Sequence, residues 1–343
     1  MEIVNVQAVQ PAASRAPQDW RGWLGQILVR VDTDDGLTGY GMGGGGEAGV
    51  HVVETVLRAG LLGEDPCDVE DLWAKLYRQT LPFGQKGLAI MALSGVDLAL
   101  WDLRGKRENG SIVELLGGTA EEAIPAYQTT GGQGVEKAVQ EGFQAVKIGG
   151  LGRLDPDAAL DDIIAMIRDA RQVLGPERQL MADASLGWDV AGTLQVCERI
   201  SEYDLTWLEE PLPPDDLEGY HALTRQSPVP IAGGEHEYTA AAFETLAERR
   251  LHAVLQPDVC WCGGLTELVK IYELGRRYGM RVCPHRGSEV WALHAIAALD
   301  PDPLAESGRP WMTWVGGPEI AQGTIATGGE PGFGVRFDSA LWE

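Results

Sequence analysis

The 343 residues carry 27 basic against 51 acidic side chains, a formal charge of −24. That balance excludes nucleic acid and anionic membrane surfaces as partners, because both select for cationic patches. A hydrophobic content of 44% over this length describes a globular chain with a sizeable core, either one large α/β barrel or two smaller domains.

The N-terminal MEIVNVQAVQ has no basic segment leading into an apolar run, so no secretory signal is expected. Residues 24–32 alternate apolar and polar, Asp34-Asp35-Gly36 supplies a turn, and 37–42 starts a second short strand, which predicts a β-hairpin. Gly41 to Gly46 formally matches GxGxxG. The helical pattern of His51 to Ala59 follows where a dinucleotide site needs a second strand, so that reading is rejected and a mobile loop is expected. From Glu47 to Arg107 the pattern is helical, with a long amphipathic stretch over Leu88 to Arg104. The most membrane-like run, Ala89 to Trp101, is too short to span and carries Asp97. Residues 1–120 are therefore predicted as an α+β domain.

After Leu115-Leu116-Gly117-Gly118 the rhythm changes. Eight short apolar runs alternate with helical segments: IPAYQ, FQAVK, QLMAD, LTWLE, VPIAGGE, AVLQPD, MRVCPH and PLAE. Repeated βα units predict a parallel barrel over residues 121–310, with 311–343 as a Gly/Pro-rich tail packing back on the first domain. The five cysteines (Cys67, Cys197, Cys260, Cys262 and Cys283) show no CxxC spacing and read as reduced thiols of a cytoplasmic protein. Cys260 and Cys262 are expected to line a turn and not to hold a metal.

The last residues of six successive runs are Asp183, Glu209, Glu235, Asp258, His285 and Glu306. Strand C-termini of a barrel converge on one mouth, so these six groups are predicted to meet in one pocket. Capping of the following helices would account for one or two acidic positions, but not for all six. Asp183, Glu209 and Glu235 would repel one another without a cation, and a purely oxygen donor set selects Mg²⁺ over zinc. Asp258 beside His285 fixes an imidazole as a general-base candidate.

The chain resembles the enolase superfamily, in its mandelate racemase-like subgroup. The motifs are GQKGLAIMALSGVDLALWDLRGK from Gly84, LLGG from Leu115, WLEEP from Trp207, GGEHEYT from Gly233, LQPDVCWCGGLTE from Leu255 and VCPH ending at His285. The last three are most similar to sugar-acid dehydratases. The resemblance implies a modified TIM barrel, (β/α)7β, with a capping domain completed by the C-terminal tail. It also implies one Mg²⁺ per subunit held by Asp183, Glu209 and Glu235, an Asp258–His285 dyad, and Glu306 stabilising an enolate. A homo-oligomer acting on a small sugar acid is expected.

One departure bears on the reaction. Many relatives carry Lys-x-Lys at the end of the second strand, whereas here Lys147-Ile148-Gly149 puts glycine where a second base would stand. A racemase needs a base on each face of its substrate, while syn elimination can run on one histidine. The departure favours dehydration over racemisation, epimerisation or cycloisomerisation on the same scaffold, with Lys147 as an auxiliary acid. A non-enzymatic binding protein would have lost some of the six groups. His236, Arg21 and Lys86 are the expected substrate contacts.

Overall fold

A computed structural model describes residues 1–11, 25–120, 123–152, 159–308, 318–337 and 339–342. Arg21 lies outside the described residues. The N-terminal part is an antiparallel sheet of β1 (Ile3–Val9), β2 (Ile27–Thr33) and β3 (Thr38–Gly43), in the order β1-β2-β3. The helix Leu88–Glu108 packs directly on β3. Alternate β3 residues Gly39, Gly41 and Gly43 face it, and a Cβ on Gly41 would collide with the carbonyl oxygen of Gly95.

Two expectations are corrected here. The helix is not amphipathic: every residue from Ala89 to Leu103 is buried, because the sheet covers one side and the barrel helix Leu265–Tyr278 the other. Nor is the glycine run a loose loop. Gly44, Gly45 and Gly46 are buried, Gly45 has φ 94 and Gly46 φ 56, and a Cβ on Gly44 would lie 3.0 Å from the Trp261 ring nitrogen. These glycines allow close approach and left-handed turns.

The second part is built from eight parallel strands: β4 (Ala123–Thr130), β5 (Ala145–Ile148), β6 (Gln179–Asp183), β7 (Leu205–Glu209), β8 (Ile231–Gly233), β9 (Val254–Leu255), β10 (Arg281–Val282) and β11 (Ala305–Glu306). Their order is β10-β9-β8-β7-β6-β5-β4-β11, with β12 (Thr324–Ala326) antiparallel to β4. One buried cluster takes a side chain from each unit: Tyr127, Ala145, Met181, Trp207, Ala232, Val254, Cys283 and Leu304. Such a ring is the filled interior of a barrel. The side chains of Tyr127 and Trp207 meet edge to face at 6.0 Å. At the seam between β10 and β11, Cys283 Sγ approaches the Leu304 carbonyl at 3.5 Å and Ser288 N donates to the Glu306 carbonyl at 2.8 Å.

Asp183, Glu209 and Glu306 end their strands, but Glu235, Asp258 and His285 sit two or three residues past Gly233, Leu255 and Val282. Gly234, with φ 124, breaks the first of these strands. Pro257 and Pro284 have no N–H to donate to a ladder, which limits the other two.

The tail ties both parts together. Beyond β12, the Gly332 carbonyl accepts from Ile112 N at 3.0 Å, Phe333 N donates to Asp102 Oδ1 at 3.0 Å, and Phe337 packs on Tyr40 with centroids 4.9 Å apart. Among the described residues, no helix is long and apolar enough to cross a membrane.

Candidate active site

The two parts meet beside the Asp258 loop. Asp97 of the helix Leu88–Glu108 accepts from Thr266 N at 3.0 Å and Thr266 Oγ1 at 2.6 Å, Ser94 Oγ accepts from Gly263 N at 2.9 Å, and Trp73 Nε1 donates to the Gly263 carbonyl at 2.7 Å. These bonds fix the turn Asp258–Gly264 from outside the barrel. From inside that turn, Asp258 Oδ1 accepts from Cys260 N at 2.8 Å. Cys260 and Cys262 are buried in the turn, and burial with the charge of Asp258 pushes both thiols far up, so neither offers a thiolate.

Asp258 Oδ2 carries more than the expected partner. His285 Nδ1 is 3.0 Å away, and Arg286 Nε, also at 3.0 Å, and Nη2 donate to the same oxygen. Arg286 Nη1 donates to Glu289 Oε2 at 2.6 Å. Burial raises the Asp258 carboxyl, but the Arg286 charge and the His285 bond outweigh it and hold the group below the usual range. His285 turns its Nε2 into the mouth, 3.2 Å from Glu235 Oε2. Burial opposes its charge, yet Glu235, the Asp258 bond and Glu306 push the imidazole up to about 9.

Lys147 is buried with its ammonium 2.6 Å from Glu209 Oε1, 2.7 Å from Glu306 Oε1 and 4.0 Å from Asp183 Oδ2. Burial lowers its pKa, but the four surrounding carboxylates lift it far above the ordinary lysine value, so it is a fixed cation. Glu306 also accepts from Thr129 Oγ1 at 2.5 Å and Arg286 N at 2.7 Å. Desolvation is overcome there by Lys147, His285 and these bonds, leaving the carboxyl at about 2. Space is open beside Gly149, where a Cβ would find only Thr129 Cγ2 at 4.0 Å.

Asp183, Glu209 and Glu235 bring oxygen donors alone to this mouth. Burial raises Glu209 and Glu235; Lys147 opposes it at Glu209, and His285 and His236 oppose it at Glu235, but they do not cancel it. That chemistry fits a hard divalent ion. The side chains are not drawn together, however. Glu209 Oε2 is turned to Gln256 Nε2 at 2.6 Å, and Asp183 Oδ1 to Ser185 N at 2.8 Å. Among the described residues, the group of three such donors whose atoms all lie within 4.8 Å of one another is Glu210, Glu235 and His236. Oxygens bound to one ion at 2.0–2.1 Å lie at most about 4.2 Å apart, so loading the expected three requires side-chain rotation.

Glu210 and Arg286 were not legible in the sequence. Glu210, buried with φ 38, accepts from Gly234 N at 3.1 Å and pairs with His236 Nδ1 at 2.7 Å. His236 is pushed up to about 9: burial opposes its charge, but Glu210 and Glu235 support it. The Trp261 ring stands between His236 and His285, at 5.9 and 6.0 Å. Lys86 reaches the same loop from the N-terminal part, with Nζ 3.2 Å from Glu237 Oε2.

A capping sheet over a barrel with this mouth is the architecture of a known superfamily. Residues 132–341 match the family model described as enolase C-terminal domain-like, and 22–117 match the N-terminal domain of the mandelate racemase/muconate lactonizing enzyme family. The chain belongs to that family, within the enolase superfamily. It is 37% identical over 333 residues to L-rhamnonate dehydratase of Saccharopolyspora erythraea, covering 92% of this chain and 84% of the relative. Rhamnonate dehydratase from Gibberella zeae, solved in complex with Mg, superposes with a TM-score of 0.90 at 28% identity over 99% of this chain and 95% of that one. The 3,6-anhydro-D-galactonate cycloisomerase from Zobellia galactanivorans (TM-score 0.88, 26% identity) and a racemase from Streptomyces coelicolor with bound magnesium (0.88, 28%) each match over 99% of this chain and 98% of theirs.

Proposed function

We propose that the protein is a Mg²⁺-dependent dehydratase of an aldonate or similar sugar acid, forming a 2-keto-3-deoxy acid. The observation that carries the reading is one mobile base: His285 Nε2 faces the carboxylates, Lys147 is immobilised between Glu209 and Glu306, and glycine stands at 149. The identity to L-rhamnonate dehydratase supports the same class.

Asp183, Glu209 and Glu235 would hold Mg²⁺, which supplies positive charge opposite the substrate carboxylate and makes the α-proton more acidic. When Glu235 shares its charge in this way, the His285 imidazolium loses its strongest support and the ring can begin the cycle neutral. Asp258, ionised and anchored by Arg286, holds Nδ1–H and so leaves Nε2 as the proton acceptor. His285 takes the C2 proton. Lys147, held in place by Glu306, presents fixed positive charge to the developing ene-diolate. The electron pair then expels the 3-hydroxyl, His285 returns its proton to the departing oxygen to form water, and the enol ketonises. His236, on the loop of Glu235, Lys86, which reaches that loop from the N-terminal part, and Arg21 are assigned to the distal hydroxyls.

A semicarbazide assay for keto acid across a library of sugar acids, with and without Mg²⁺, tests this. Keto acid from at least one substrate, dependent on Mg²⁺, is expected. No keto acid, with solvent deuterium and inversion at C2 of recovered substrate, would select an epimerase instead.

A further inference from the structure

At the opposite end of the barrel, before β8, β9 and β10, lies a cavity of about 410 Å³ lined by Arg225, Arg249, Arg250, His221 and His252 and by no acidic residue. Its size falls in the range of small-molecule pockets. In a chain of net charge −24, three guanidinium groups without a lining carboxylate are a local reversal of sign. Arg225 closes the helix Leu217–Gln226, and Arg249 and Arg250 follow the helix Thr239–Glu248. Helix dipoles explain why basic residues stand at each of these ends, but not why two helices deliver them to one cavity.

Two of these three charges, both at exposed positions, have no partner within the described residues. Arg249 pairs with Glu218 at 2.6 Å, while the guanidinium groups of Arg225 and Arg250 have no hydrogen-bond or ion-pair partner among the described residues. Arg250 stands at φ 54, the left-handed region that a non-glycine residue seldom adopts. His252, only 5% exposed, and His221 each have a buried Nδ1 with no partner. A buried polar atom without a partner is costly and calls for a ligand or water. Val229 and Met280 add apolar wall.

We infer that this cavity is a binding site for a multiply charged organic oxyanion, bearing phosphate or carboxylate groups, held by the Arg225 and Arg250 forks with His252 at the back. Guanidinium forks match both kinds of oxyanion. Among the described residues, the three arginines make no hydrogen bond or ion pair to Asp183, Glu209, Glu235, Asp258 or His285, so the site stands or falls separately from the proposed reaction; only His252 reaches toward the mouth, its ring lying against Gly233 and Glu210.

Calorimetric titration of the Mg²⁺-loaded protein with pyrophosphate, ADP and citrate distinguishes the sources of the oxyanion. Saturable binding of one of them is expected, weakened at least about tenfold in R225A/R250A. The milder R225Q, at an exposed position, should weaken it in the same direction should the double variant misfold. R276A/R277A, with equal charge loss on the neighbouring helix and outside the cavity, should bind like the parent. Absence of saturable binding by all three anions, an unchanged affinity in R225A/R250A, or equal weakening in R276A/R277A would each overturn the site.

Discussion

Arg286 donates through Nε, at 3.0 Å, and through Nη2 to the same oxygen of Asp258 that carries the His285 ring. The backbone of Arg286 lies in the left-handed region, at φ 55. Asp258 is therefore the centre of a buried triad, and Glu289 extends it at 2.6 Å. R286M should leave two buried carboxylates short of their cation and cost about 3–5 kcal/mol. R286K, which keeps a charge but loses the fork, should cost less. Urea unfolding of the three proteins measures this, and a midpoint for R286M equal to the parent's would show the triad to be energetically idle.

Removing the base itself separates chemistry from metal binding. H285N should lower dehydration by about 10³-fold, within the range ascribed to general acid–base groups, because asparagine cannot take the C2 proton. Mg²⁺ affinity, followed by calorimetry, should stay near the parent's, since none of the three expected ligands is altered. Full turnover by H285N would remove His285 from the mechanism.

The seat beside β5 offers the converse experiment. Gly149 is not in the left-handed region and faces open space, so G149K can be accommodated without strain. A lysine there would add a base on the face opposite His285. G149K is expected to introduce solvent deuterium at C2 of recovered substrate, with partial inversion read by NMR. A folded G149K without exchange would mean that position 149 does not face the substrate.

How far the site could be read in advance follows from what each residue does locally. Asp183, Glu209 and Glu306 were legible because a strand of apolar residues ends on them, and the period of the βα unit repeats that signal. Glu235, Asp258 and His285 were found by the same phase, although Gly234, Pro257 and Pro284 stop the ladders earlier. Their runs continue in the sequence where pairing has already ceased. Arg286 and Glu210 carried no such signal. A charge beside a functional residue looks like any surface charge, and only burial against Asp258 or His236 distinguishes it. The helix Leu88–Glu108, expected to be amphipathic, misled for a related reason: its polar residues Ser94, Asp97 and Asp102 are each buried on a hydrogen bond supplied by a distant segment.

His294 offers a test of stability against pH remote from the mouth. Its ring is buried in the helix Val290–Leu299, and Nδ1 accepts a hydrogen bond from Val113 N at 3.1 Å, which only the neutral ring can do. Burial, with only weak opposition from the backbone near Phe333, depresses its pKa from 6.5 to about 4. The folded state therefore binds fewer protons than the unfolded chain between these values. Stability from this group is complete above pH 6.5 and is lost as pH falls toward 4, by about 3 kcal/mol. In H294N the amide oxygen can still accept from Val113 but cannot titrate. The unfolding free energy of H294N should accordingly fall less steeply than the parent's between pH 6.5 and 4.5, measured by urea denaturation at each pH. Parallel curves would show that His294 does not titrate in that window.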